Sequence, residues 1–123
     1  MKITLSNEEI LEFFLNALCN GLSYISGYGM TLDCDQGAYD EAKAKLTSPC
    51  FEDVYMQVLK DGGKLIFTDN EAEEDHEVTL AHVIERMPNV EAETLMEMAN
   101  EQDDACTADV ILQTIIFGEV IFG

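Results

Sequence analysis

Six carboxylates and one histidine stand within residues 67–77, FTDNEAEEDHE, with no basic residue among them. Hard cations take several carboxylate oxygens, so Asp69, Glu71, Glu73, Glu74, Asp75 and His76 first suggest a metal site. The EF-hand template does not fit them. Counted from Asp69, the turn glycine falls on Glu74 and the closing glutamate on Leu80; counted from Asp33, Gly37 comes one place early and Ala44 closes the loop. No specific metal and no cofactor is expected. General acid–base or nucleophilic catalysis needs groups converging on a cleft, and only His76 and His82 offer near-neutral bases. No nucleophile motif accompanies either, so the chain reads as non-enzymatic and both histidines as solvated or capping residues. A pairing of Cys106 with His82 stays open, because such partners meet in space rather than in sequence. The four cysteines, at 19, 34, 50 and 106, match neither a redox pair nor zinc knuckles and read as buried thiols. The glycine pair around Tyr28 is too short a signal for a phosphate loop.

The elements that must carry these residues follow from periodicity and punctuation. After a short strand at Lys2 to Leu5, Ser6 and Glu9 form a capping box before Leu11, Phe14, Leu15 and Leu18, which share one helical face. Gly21, Gly27 and Gly29 break that pattern, and Met30 and Leu32 alternate with Thr31 and Asp33 as in a half-buried strand. Asp35 caps a helix through Leu46, with Glu41 and Lys45 one turn apart. Ser48 and Pro49 read as N-cap and first position of a helix carrying Phe51, Val54, Tyr55, Val58 and Leu59, which Asp61-Gly62-Gly63 ends.

Lys64 to Thr68 and Glu77 to Leu80 then make a hairpin whose loop holds Asp69 to His76, which puts the acids at a solvated tip. A short helix at Ala81 to Met87 precedes another with Ala92, Leu95, Met96 and Ala99 inward and Glu93, Glu97 and Glu101 outward. Those three are like charges one turn apart, an inefficient helix face. Thr107 caps a last helix, Asp109 to Phe117, apolar nearly all round and therefore central; Gly118 ends it and Glu119 to Phe122 can add a strand. The expected fold class is α+β, a small antiparallel sheet of the central hairpin plus a terminal strand, packed against helices around Leu11, Val54 and Ile111. At 123 residues the chain is expected to be one compact domain.

The 25 acids face only 6 bases, a net charge of -19, yet 47% of residues are hydrophobic, too many for a disordered acidic tail. The acids are unevenly spread: seven against three bases up to Leu46, ten against three to Arg86, and eight against none beyond it. No signal peptide or membrane-length apolar run is seen in the sequence, which fits a soluble protein of a reducing cytoplasm with no membrane partner. Such a chain is repelled by nucleic acid and attracted to basic surfaces. B-DNA carries one charge per ~1.7 Å of axis, or one per ~110 Å² on a cylinder of radius roughly 10 Å. Spread evenly over the ~6,600 Å² that a 13.7 kDa protein exposes, 19 charges are about threefold too dilute to resemble it.

Resemblance to a nucleic acid therefore requires concentration on one face, and two acidic blocks are available. The first holds Asp69, Glu71, Glu73, Glu74, Asp75 and Glu77; the second holds Glu93, Glu97, Glu101, Asp103 and Asp104. In size and charge alone the chain resembles the small acidic inhibitors of mobile genetic elements, DNA-mimicking antirestriction and anti-CRISPR proteins among them. That resemblance implies an inhibitor occupying a basic, nucleic-acid-binding protein surface without touching nucleic acid itself. The competing expectation is an acidic domain or homodimer of a mobile element or bacterium, whose charge serves solubility and whose partner binds an apolar patch.

Overall fold

Ser6 and Glu9 close the reciprocal cap that their spacing announces. The Ser6 amide donates to Glu9 Oε1 at 3.0 Å and the Glu9 amide to Ser6 Oγ at 3.2 Å, bonds that hold the Glu9 carboxyl below its ordinary pKa. The helix they start, α1, runs Asn7–Ser26. It does not stop at Gly21. The computed structural model describes residues 5–27, 29–90, 92–100 and 105–119. Within them follow β1 (Met30–Asp33), α2 (Gln36–Ala44), α3 (Phe51–Lys60), β2 (Lys64–Asp69), β3 (Glu74–Thr79), α4 (Leu80–Arg86), a 3-10 turn at Met87–Asn89, α5 (Ala92–Ala99) and α6 (Ala105–Phe117). The expected terminal strands lie, apart from Leu5 and Glu119, outside the described residues. The third strand beside the hairpin is the alternating run of β1.

The result is an α+β fold: six helices and a three-stranded antiparallel sheet of order β1-β2-β3 among the described residues. Register pairs Met30 with Asp69 and Asp33 with Ile66, then Lys64 with Thr79 and Asp69 with Glu74. Alternation sends Met30, Leu65, Phe67 and Val78 inward, all at most 1% exposed. Helices α1, α3 and α6 pack on that inner face, with Phe14, Leu18, Val54, Leu59, Ile111 and Ile115 completing one core. Among the described residues, Thr31, Asp33, Lys64, Asp75 and Glu77 are exposed on the outer face of the sheet.

Several local expectations change for physical reasons. Lys45 does not pair with Glu41; its Nζ lies 3.0 Å from Asp61, tying the end of α2 to the end of α3. With Gln57 also donating to Asp61 at 2.8 Å, the Asp61 carboxyl is held below its usual range, chiefly by Lys45. Such a group stabilises the fold at neutral pH, and that stabilisation is lost as pH falls through the depressed value. Helix α3 is capped by Cys50 rather than Ser48, because Asp53 reaches back to the Cys50 amide at 3.3 Å while Ser48 takes a turn conformation at φ 48°. Met96 is 47% exposed, not inward, since Leu95 and Met98 take the buried side of α5. Thr107 is no cap: it is buried inside α6, and its hydroxyl donates to Glu97 Oε2 at 2.8 Å. No cysteine is buried; Cys19, Cys50 and Cys106 are exposed and Cys34 half-exposed, all as thiols.

Candidate functional site

The hairpin is tighter than its composition suggests. Strands β2 and β3 extend to Asp69 and from Glu74, so the turn is only Asn70–Glu73. Asp69 Oδ1 accepts the amides of Glu71 and Ala72 at 3.0 and 3.1 Å, and Asn70 donates its side-chain and main-chain N–H to the Gly29 carbonyl. Glu74, Asp75 and Glu77 are therefore strand residues and not a loop tip. A charged edge strand also resists pairing with other chains, which favours acids at this place.

Asp75 and Glu77 point outward beside Thr79, and the register puts Asp33 in one row with Ile66 and Glu77. Eight residues make up this outer face: Thr31, Asp33, Lys64, Ile66, Thr68, Asp75, Glu77 and Thr79. With ~3.3 Å per residue, two residues per outward position and ~4.8 Å between strands, each takes a footprint of about 32 Å². Three carboxylates and one ammonium then give one net charge per about 130 Å², close to the ~110 Å² of duplex DNA. Glu71, Glu73 and Glu74 are exposed at the end of the same sheet.

The second block is less unified. Glu93 is exposed on α5, but Glu97 is half-buried and engaged by Thr107, so it is partly structural. Glu101, Asp103 and Asp104 lie outside the described residues. Helix α5 and strand β3 each pack on α6, and the register places Asp33 of β1 in one row with Glu77 of β3, across Ile66 of β2. Asp35, the N-cap of α2, accepts the Ala38 amide at 3.0 Å and joins the same outer face through a cleft of about 750 Å³. Sequence reasoning passed over Asp33 and Asp35 as site residues, although the alternation of β1 already placed Asp33 on a polar face.

His76 points to the inner face, its ring edge-on to Phe117 at 4.8 Å and its Nε2 3.7 Å from Glu74. His82 is a capping residue: its Nδ1 accepts the Thr79 amide at 3.1 Å while Thr79 Oγ1 accepts the His82 amide at 3.3 Å. Partial burial raises the Cys19 and Cys34 thiols, which lowers their thiolate fraction and reactivity. Among the described residues no three His, Cys, Asp or Glu side chains stand close enough to share a metal ion, and no helix is long and apolar enough to cross a membrane.

Two stability predictions arise from this charge. Among the described residues only two lysines are paired with carboxylates, Lys45 with Asp61 and Lys64 with Glu77, which leaves most of the 25 acids uncompensated. Raising sodium chloride from about 20 to 300 mM is expected to raise the melting temperature by about 5 °C, as screening relieves self-repulsion. A flat or falling curve would mean that the carboxylates are already compensated. Glu73 sits at φ 55°, in the left-handed region that favours glycine. Glu73→Gly is expected to stabilise by about 1 kcal/mol, or ~4 °C in a domain of this size. A lower melting temperature would show that the carboxylate itself holds the turn.

Compared with known proteins, the chain matches no family model, no curated protein and no solved structure.

Proposed function

We propose that the protein is a non-enzymatic inhibitor or adaptor whose outer sheet face occupies a basic, nucleic-acid-binding surface of another protein, in a reducing cytoplasm. The observation that carries this reading is the charge density of the outer face, near that of a phosphate track and well above an even spread. Glu73 adds support. A carboxylate held in a strained backbone position costs about 1 kcal/mol, which a purely solubilising charge avoids by sitting elsewhere. The binding set on this reading is Glu71, Glu73, Glu74, Asp75 and Glu77 of the hairpin with Asp33 and Asp35 beside them, and Glu93 as an outlying contributor.

The test is capture of a partner from host lysate, followed by competition. Duplex DNA should displace the partner, and the triple variant Glu71→Lys, Glu73→Lys, Glu74→Lys should slow association about tenfold and flatten its dependence on ionic strength. All three residues are exposed, so the variant should keep the fold. A partner indifferent to both DNA and the reversal rules the reading out.

One observation favours a second reading. Phe51 is 50% exposed and stands edge-on to Tyr55 at 6.1 Å, which in turn meets Tyr39 at 5.7 Å, an aromatic ladder on the surface of α2 and α3. If this ladder is the partner surface, or a homodimer contact, Phe51→Ser abolishes association while the charge reversals leave it unchanged.

A further inference from the structure

Helices α1 and α3 pack together on the helical side of the fold and leave an apolar groove between their outward faces. Two adjoining hollows of about 280 and 190 Å³ make it, both walled by Leu15, Met56 and Lys60. Glu8, Leu11, Glu12 and Leu15 line it from α1 at spacings of three and four, so one helical stripe forms that wall. Met56 and Lys60 repeat the spacing on α3, and Leu46 joins from the connection between α2 and α3. Met56 is buried, but Leu11, Leu15 and Leu46 are left half-exposed. Single surface leucines are ordinary; three around one polar-rimmed hollow have the anatomy of an interaction surface. The rim is asymmetric. Glu8 and Glu12 stand exposed on the α1 wall as like charges one turn apart, and only Glu8 lies in the first turn, where the helix dipole favours an acid. On the α3 wall Asp53 is engaged by the Cys50 amide and thiol at 3.3 and 3.2 Å, and Lys60 supplies a positive charge.

We propose that this groove seats about two turns of an amphipathic helix from a partner protein, with its apolar stripe on Leu11, Leu15, Leu46 and Met56 and its Lys or Arg flank turned toward Glu8 and Glu12. The site lies on a different surface from the anionic sheet face and does not depend on that reading. Both long walls are helices whose amides and carbonyls are bonded internally, so an extended peptide would find few main-chain partners there. A helix arrives with its own backbone already satisfied and needs only side-chain contact. From Glu8 to Leu15 α1 rises about 10 Å, the length of two turns. Lys60 on the opposite wall sets the direction, repelling a basic flank that the two glutamates attract. A second copy of this chain is a poor occupant, because with 6 bases against 25 acids it would bring more carboxylates to Glu8 and Glu12.

Two acetylated leucine–lysine peptides of identical composition test this: one repeats leucine at helical spacing, and the other is scrambled so that no apolar stripe forms. Titrated into the full chain and followed by amide NMR shifts, the patterned peptide is expected to bind about tenfold more tightly than the scrambled one and to shift the amides of Leu11, Leu15 and Met56. Leu15→Gln keeps a good helix former at a half-exposed position and should remove that advantage. Glu8→Gln with Glu12→Gln, both at exposed positions, should keep the fold and weaken the patterned peptide about threefold. Equal affinity of the two peptides for the wild type, or shifts confined to β2 and β3, overturns the groove proposal and leaves the sheet-face reading as it stands. Unchanged affinity in the glutamine pair overturns the basic flank. Concentration-dependent shifts of Leu11 and Leu15 in the protein alone would put a second copy in the groove and overturn the proposal as well.

Discussion

Gly21→Val is expected to lower the melting temperature by about 12 °C, a loss of about 3 kcal/mol. Glycine inside a helix ordinarily destabilises it by about 1 kcal/mol relative to alanine, so a substitution here would improve α1 if nothing else were near. But α6 crosses at this point. A Cβ on residue 21 would meet Leu112 Cδ1 at 2.8 Å and Ala108 Cβ at 3.0 Å, both in the core. Ala108 is on a helix backbone and cannot swing aside, and Leu112 is fully buried, so the branched side chain forces α1 and α6 apart along the largest helix interface of the fold. Gly21→Ala should be much milder, its gain in helix propensity offsetting part of the clash. Combining it with Ala108→Gly should recover stability beyond the sum of the single changes, the signature of a direct contact. If Gly21→Ala alone raised the melting temperature by the full propensity gain, the close approach of α1 and α6 would be wrong.

The same residue explains where sequence reading of the fold stops. Local propensity reads Gly21 as a helix end, and only the position of a helix some 90 residues later turns it into a contact point. Elements specified by neighbours in sequence are legible: the Ser6–Glu9 box, the Asp35 cap, and the apolar stripe of α3 running to Asp61 all stand in the structure. Side-chain choices decided across elements are not. Lys45 has an acid one turn away in Glu41 yet reaches Asp61, and Met96 stands at helical spacing from Ala92 while facing water.

For the candidate site the difficulty is different. Strand β3, EDHEVT, has a single fully buried side chain, Val78, so its period-2 signal is almost silent and the acids read as loop. Its identity as a strand comes from pairing with Lys64–Asp69, where Leu65 and Phe67 alternate clearly. Asp33 and Asp35 precede Asp75 by about forty residues, and nothing in their spacing announces that antiparallel pairing of β1 with β2 will put them around one cleft. Charge counting found the acid-rich segments. The register decides which acids are neighbours.

Arg86→Met is expected to cost about 2–3 kcal/mol, or roughly 10 °C, although it leaves side-chain bulk nearly unchanged. In a protein this acidic, one of six bases is spent not on a carboxylate but on main-chain carbonyls: Arg86 Nη1 donates to the oxygens of Ile115 at 2.6 Å and Ile116 at 3.3 Å. Those carbonyls belong to the last turn of α6, where a helix has no acceptor-satisfying amides of its own and where its dipole favours a cation. The side chain is half-buried and comes from α4, so it also fixes how two helices meet. Methionine would leave the carbonyls unsatisfied; Arg86→Lys keeps charge and one donor and should recover about half the loss. Salt separates this local effect from the general one. Screening relieves repulsion among surface acids, so the wild type and Arg86→Met should both gain stability with sodium chloride, while the gap between them persists at about 300 mM. A gap that closes with salt would mean that Arg86 acts only by lowering the net charge, and the cap on α6 would have to be abandoned.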